Sequence, residues 1–247
     1  MEEACALRAL PLRPDPLALL KPKTPKPIVL NIGITGHRAG ALTAPVIRSL
    51  DPVVDKVFRK LRTAALKVQK SEGAFCSLTP AELRLHTGLA SGADQIAARW
   101  ARSRGYSVTA VLPFEPEEYR KDFELDGEAA DFDRALDAAD EIIVLPGERS
   151  DAEGAYVLVG KQIIESADIM IAIWDGEEAR GPGGTAHVVE LALKSAVPVI
   201  HIHIRPASRK VRTRALSGRD AAKPKRSSLR WPGRYRRLVR EALKPKD

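Results

Sequence analysis

The sequence predicts an α/β protein of the Rossmann-like type, with a mostly parallel sheet covered by helices on both faces. Short β-branched segments alternate with longer ones whose apolar residues recur every three or four positions, from residue 28 to residue 204. Glycine-bearing turns follow three of the strand segments, as they do at the carboxyl edge of such sheets. A length of 247 residues is sufficient for one domain of this kind with additional terminal segments.

Each predicted element has its own local signal. The first strand, residues 28–34, is a nearly continuous apolar run, which is typical of a strand buried on both faces. Further strands are predicted at 83–87, 107–113, 141–145, 168–174 and 197–204. Helices are predicted over 49–70, from Asp94 to about Gly105, over 155–166 and over 185–195, and the acidic stretch 115–141 is predicted to combine helical and loop segments.

Two flanking segments differ from this central domain, residues 28–204. Residues 1–27 are proline-rich and predict an extended linker. Residues 205–247 form a basic tail with 16 Lys/Arg against three Asp/Glu. Its part 205–228 has almost no large apolar residues and predicts disorder, whereas 229–243 has helical apolar spacing. Docking on its own domain is the first interpretation of that helix; binding of nucleic acid or of an anionic membrane remains open.

The charge of the chain is unevenly distributed. The net charge of +8 combines +2 for residues 1–30, −7 for 31–204 and +13 for 205–247. The pI of about 9.6 therefore describes the tail and says little about the ligand of the central domain. No apolar run reaches about 18 residues, no signal peptide is evident, and Cys5 and Cys76 are the only cysteines. We expect a cytoplasmic protein without a metal site.

The first two glycine-bearing turns have residues suited to an anionic ligand. In the first, glycines allow close backbone approach, a hydroxyl is available, and a guanidinium suits phosphate or carboxylate. The second opens a helix, whose free N–H groups and dipole favour phosphate. The carboxylate of Asp94 suits either capping or a ribose hydroxyl. The candidates are Gly33, Thr35, Gly36, His37 and Arg38 in the first turn, and Gly88, Ser91, Gly92 and Asp94 in the second.

The third turn, residues 174–185, also precedes a predicted helix. Its candidates are Asp175, which suits a sugar or base, and Gly183, Gly184 and Thr185, which suit a phosphate. Trp174 can stack on a base, but core packing is the first interpretation of an aromatic residue that ends an apolar strand. Two glycine-rich helix starts at one crevice predict a nucleotide, a nucleotide sugar or a dinucleotide as ligand.

These motifs resemble the SLOG superfamily, which contains the DNA-processing protein DprA and the Lonely Guy phosphoribohydrolases. The segments that carry the resemblance are TGHR (35–38), TGLASGAD (87–94), WDG (174–176) and GPGGT (181–185). The resemblance covers residues 28–204. It is strongest to stand-alone bacterial SLOG proteins. The resemblance implies a Rossmann-like fold, binding of nucleotides or nucleotide-derived signals, and ligand contacts at the candidate residues of all three turns.

One departure from the superfamily bears on catalysis. Lonely Guy enzymes and the similar-looking nucleoside deoxyribosyltransferases have a glutamate three residues after the motif threonine, where this chain has Val188. Glu190 lies two residues further, about 200° around the helix, and is interpreted as an i,i+4 partner of Lys194. His37, Asp175 and His187 remain weak catalytic candidates. The enzyme question therefore stays open, with the departure favouring a protein that is not an enzyme.

Three functions follow from these observations. The first is a sensor or regulatory module that binds a nucleotide or nucleotide-derived molecule, requires no cofactor, and acts through an effector protein. The second is a phosphoribohydrolase, N-glycosidase or deoxyribosyltransferase. The third is DprA-like nucleic-acid binding with charge supplied by the tail, although Ser91 stands where DprA carries an arginine and the central domain is acidic. A homo-oligomer is compatible with all three.

Overall fold

One eight-stranded sheet organises the protein. The computed structural model describes residues 27–72, 80–125, 127–178, 181–205, 208–218, 224–229 and 232–244. The strands are β1 (Val29–Gly36), β2 (Glu82–Thr87), β3 (Ser107–Leu112), β4 (Glu141–Val144), β5 (Ile169–Trp174), β6 (Val199–Arg205), β7 (Ser208–Ser217) and β8 (Lys225–Ser228). Their order is β4-β3-β2-β1-β5-β6-β7-β8, with β1 to β6 parallel and the last two strands antiparallel. The predicted α/β class is confirmed.

Seven α-helices accompany these strands in the described part of the chain. They are α1 (Ala44–Glu72), α2 (Ala93–Ser103), α3 (Pro116–Tyr119), α4 (Glu128–Asp137), α5 (Ala152–Ser166), α6 (Thr185–Lys194) and α7 (Pro232–Ala242). One buried apolar cluster joins the sheet to α1, α2, α4 and α7, and a second joins it to α5 and α6. Helices therefore cover both faces, because strands in the middle of a parallel sheet are apolar on both sides.

The described residues of the segment 205–228, namely 205, 208–218 and 224–228, differ from the predicted disorder. The described residues of β7 pair antiparallel with β6, and β8 pairs with β7. Ala215, Leu216 and Leu229 are buried, so this highly charged segment places its few apolar residues against the core. Basic residues alternate with small or apolar ones along β7, which is a strand pattern that average composition conceals. The domain boundary predicted at residue 204 thus falls within a continuous sheet.

Helix α7 docks on its own domain, as the first interpretation of the tail predicts. Tyr235, Leu238 and Val239 are buried in the cluster that also contains α1, and the Lys60 ammonium lies 5.0 Å from the Tyr235 ring centroid. Among the contacts between helices, those of α7 are made with α1. None of the described helices combines the length and apolar character that crossing a membrane requires.

Candidate functional site

A cavity of about 710 Å³ lies at the carboxyl ends of β1, β2 and β5. This is the edge at which open α/β sheets bind ligands. Ten of the thirteen predicted ligand residues line it: Thr35, Gly36, His37, Arg38, Gly88, Asp94, Asp175, Gly183, Gly184 and Thr185. Three turns that are far apart in sequence therefore meet at one site. Gly33, Ser91 and Gly92 are not among the lining residues.

The first and third turns are joined by a contact between the side chains of His37 and Asp175 at the cavity wall. His37 Nε2 lies 3.0 Å from Asp175 Oδ2, and both side chains are mostly buried. The His37 backbone N–H donates to the Ile173 carbonyl at 3.0 Å, and the other Asp175 oxygen accepts from the Glu177 N–H at 3.1 Å. These bonds hold the imidazole and the carboxylate in a fixed arrangement that can accept or donate a proton.

Arg38 lies against a polar wall that the sequence motifs did not indicate. Its guanidinium is 4.0 Å from Asp122 and 5.6 Å from the centre of the Tyr156 ring. The Tyr156 hydroxyl and the Arg149 guanidinium both donate to Asp122, so this carboxylate is a shared acceptor. Tyr156 and buried Tyr119 also line the cavity. No local pattern marks these residues, because α3 and α5 approach the cavity only through tertiary packing.

The backbone of the first turn packs against the second turn and covers the start of α2. The Ala93 N–H, at the start of α2, donates to the His37 carbonyl at 3.0 Å, and Ser91 Oγ accepts from the Ala39 N–H at 3.5 Å. Gly92 has φ +89°, and a Cβ there would lie 2.6–2.7 Å from backbone atoms of residues 37–39. Ser91 and Gly92 thus hold two turns together, and the start of α2 is not an open phosphate cradle.

Asp94 is a buried carboxylate at the cavity. Its Oδ2 accepts from Thr87 Oγ1 at 3.2 Å and from the Gly88 N–H at 3.1 Å, which fixes the turn between β2 and α2. Burial raises the pKa of Asp94 to about 7, although these hydrogen bonds oppose the shift. The carboxyl is therefore partly protonated near neutral pH and can act as donor or acceptor toward a ligand.

The third turn presents an open helix start to the cavity. Gly184 precedes α6 without a side-chain cap, and the first-turn residues Thr185 and Ala186 line the cavity. Their N–H groups have no acceptor within the helix, which makes this end favourable for an anion. Gly183 has φ +74°, and a Cβ there would lie 2.9 Å from Tyr156 Cβ. His187 Nδ1 accepts from the Gly183 N–H at 3.0 Å, outside the cavity lining.

Val188 presents an apolar surface to the cavity. Val188 is buried, lines the cavity, and packs beside Gly160, whose absent Cβ would lie 3.0 Å from it. Glu190 pairs with Lys194 at 2.6 Å, as the i,i+4 spacing predicts, and is not among the lining residues. The wall of the cavity at position 188 is therefore apolar and carries no carboxylate.

Gly33 and His201 contribute to packing next to the cavity and are not among its lining residues. A Cβ at Gly33 would lie 2.2 Å from Met170 Sδ, so this glycine allows α5 and the sheet to pack closely. Buried His201 has Nε2 at 3.0 Å from the Trp174 carbonyl. Half-buried Trp174 packs on the His201 ring, with centroids 5.2 Å apart, and also lines the cavity. Among the described residues, no group of three or more His, Cys, Asp or Glu side chains is arranged to hold a metal ion.

No family model matches this chain, and no curated protein matches it. Solved structures do match. DNA processing protein A from Streptococcus pneumoniae aligns over 72% of this chain and 51% of its own, with 19% identity and a TM-score of 0.48. The molybdenum cofactor carrier protein from Chlamydomonas reinhardtii aligns over 74% and 80%, with 18% identity and a TM-score of 0.40.

DNA processing protein A from Helicobacter pylori also matches, over 71% of this chain and 66% of its own, at 17% identity and a TM-score of 0.39. The Helicobacter protein binds single-stranded DNA. The chain spans about half the length of the pneumococcal protein.

Proposed function

We propose that the cavity binds a nucleotide or a nucleotide-derived small molecule and that the protein acts as a sensor or regulatory module. The observation that carries this proposal is the open start of α6, which enters a cavity that also contains Arg38, Asp94 and Asp175. A phosphate suits the helix N–H groups, and carboxylates suit sugar hydroxyls. A volume of about 710 Å³ lies within the range of small-molecule sites.

The absence of a carboxylate at Val188 favours binding without conversion of the ligand. A protein that does not convert its ligand needs a partner to transmit the signal. We therefore include in the proposal an effector protein that recognises the ligand-bound form. Mass spectrometry of small molecules released from the purified protein identifies a bound candidate directly. Titration calorimetry with a panel of nucleoside 5′-monophosphates and cyclic nucleotides then measures its affinity.

Gly184→Asp is the matched variant for this test, with Gly184→Asn as its control. Gly184 has φ −69°, which both residues adopt, and a Cβ there would lie 3.3 Å from the Gly181 carbonyl oxygen in either variant, so the two variants differ mainly in charge. An aspartate at the helix start competes with an anionic ligand, so we expect at least about a tenfold loss of affinity, against a few-fold loss for asparagine. Equal affinities for both variants would place the anion site elsewhere.

A second candidate is hydrolysis of an N-glycosidic bond, as in a phosphoribohydrolase or nucleoside N-glycosidase. The His37–Asp175 pair inside the cavity favours it, since it is a fixed acid–base pair that does not require the missing glutamate. In that reaction water adds to the anomeric carbon, and the base leaves with a proton. Chromatographic detection of free base that disappears in Asp175→Asn would establish this function and exclude a pure sensor.

A further inference from the structure

Four arginines lie together beyond the helix-covered part of the sheet. They are Arg205, Arg212, Arg214 and Arg226, and we refer to them as the arginine strip. In the sheet register Arg212 lies opposite His203, Arg214 opposite His201, and Arg226 opposite Leu216. Directly opposed residues of antiparallel strands point to the same face. The Arg205 guanidinium donates to His203 Nε2 at 3.3 Å and therefore lies on the same face as the other three arginines.

The strip lies on the same face of the sheet as α5 and α6, and these helices cover another part of that face. Leu216, next to Arg214 on this face, is buried in the cluster formed by these two helices. Arg205, Arg212 and Arg226 are exposed, and Arg214 is half-buried. The helices therefore end before the strip, which leaves the arginines open to a partner. They lie on three adjacent strands, which spaces them over about 10 Å across the sheet.

The strip is not neutralised within the described part of the chain. Arg99, Arg104, Arg120 and Arg149 each form an ion pair with a carboxylate, but no such pair is formed there by the strip arginines. Asp175, the carboxylate that acts on neighbouring His203, is bound to His37 at 3.0 Å. The pKa of His201 is lowered to about 4, mainly by burial, and the nearby Arg214 and Arg226 contribute to this lowering, consistent with a positive local potential.

We propose that the arginine strip binds the phosphate backbone of a nucleic acid. Guanidinium groups match phosphate oxygens with two parallel hydrogen bonds, and a row of them suits a repeating anion better than a single phosphate. The face is open, whereas small ligands require an enclosing cavity. An anionic membrane fits less well, because the large exposed apolar side chains, Leu125, Ile142, Val144 and Leu158, lie on other elements. The strip acts independently of the ligand proposed for the cavity.

The test compares two doubly charge-reversed variants of the full chain. Arg212→Glu/Arg226→Glu changes two exposed strip residues, and Arg59→Glu/Arg62→Glu changes two exposed residues of α1, on the opposite face of the sheet. Both variants change the net charge equally. Deletion of the tail is unsuitable, because it removes two strands of the sheet. Fluorescence anisotropy with a labelled single-stranded oligonucleotide and with its duplex, over a series of salt concentrations, measures binding.

The strip variant is expected to bind at least about tenfold more weakly, and the slope of log affinity against log salt to fall by about 1.5, for two lost phosphate contacts. The α1 variant should retain the slope. Equal losses in both variants, no binding by the unmodified protein, or binding to phosphatidylserine vesicles alone would overturn the proposal. Arg212→Gln/Arg226→Gln, with unchanged thermal unfolding as its folding control, repeats the test if the reversed variant does not fold.

Discussion

His37 and Asp175 are bound side chain to side chain, with 3.0 Å between Nε2 and Oδ2. One follows β1 and the other follows β5, so the pair ties together the ends of two neighbouring strands. Both residues line the cavity, and each has a second hydrogen bond that fixes its turn. The pair therefore contributes to the shape of the site whether or not it transfers a proton.

Asp175→Asn should lower the free energy of unfolding by about 1–2 kcal/mol, the usual contribution of a partly buried hydrogen bond to a charged group. Urea unfolding followed by circular dichroism measures this change. Glu190→Gln, which breaks the exposed pair with Lys194, is the control and should have no measurable effect. Equal stabilities of the Asp175 variant and the unmodified protein would show that the pair does not stabilise the two turns.

The stability of the protein should fall between pH 4.5 and 7.5 in a way that depends on Asp94. Burial raises its pKa to about 7 from an ordinary 3.8, so within this range the folded state keeps a proton that the unfolded chain releases. The resulting stabilisation is complete below pH 3.8 and is lost as the pH rises through 7. Asp94→Asn removes this loss, which we expect to be roughly 2–3 kcal/mol in urea unfolding at the two pH values.

Asp133→Asn, on α4, is the control for this pH dependence, since Asp133 is half-exposed and pairs with Arg120. Its stability difference between the two pH values should equal that of the unmodified protein. If Asp94→Asn also retains the full difference, Asp94 is already ionised throughout the range, and its burial does not govern its protonation.

Tyr235→Ala should destabilise the whole domain by about 3 kcal/mol, because it removes a buried ring from the contact between α7 and α1. Arg234→Ala, at an exposed neighbouring position, should be neutral. Thermal unfolding of both variants checks this expectation. A neutral Tyr235→Ala would mean that the tail does not contribute to the stability of the core.

Much of the fold could be predicted from local pattern alone. The six parallel strands are confirmed, with ends that differ by no more than about two residues, because continuous apolar runs between glycine turns have few other stable arrangements. β7 and β8 were missed, since their basic residues dominate the composition and only three nearby apolar positions, Ala215, Leu216 and Leu229, are buried.

The candidate site was predictable to a similar degree. Ten predicted residues line one cavity because parallel strands bring the turns that follow them to the same edge. Tyr119 and Tyr156, which line the cavity, and Asp122, which accepts from the Tyr156 hydroxyl, were not among the predicted site residues, since their positions depend on how α3 and α5 pack. The sequence also predicted two open helix starts. The structure shows only that of α6 to be open, because the backbone of the first turn lies against Gly92 at the start of α2.

The sequence by itself determined the α/β class, the strands that carry the site and the apolar residue, Val188, in the first turn of the helix that follows the third glycine-bearing turn. These properties depend on residue type and short spacing. Only the tertiary structure decided that α6 presents the open helix start, that His37 binds Asp175, and that the basic tail extends the sheet. The physical reason is that hydrogen bonds and ion pairs between distant segments form only when packing brings their atoms within a few ångströms.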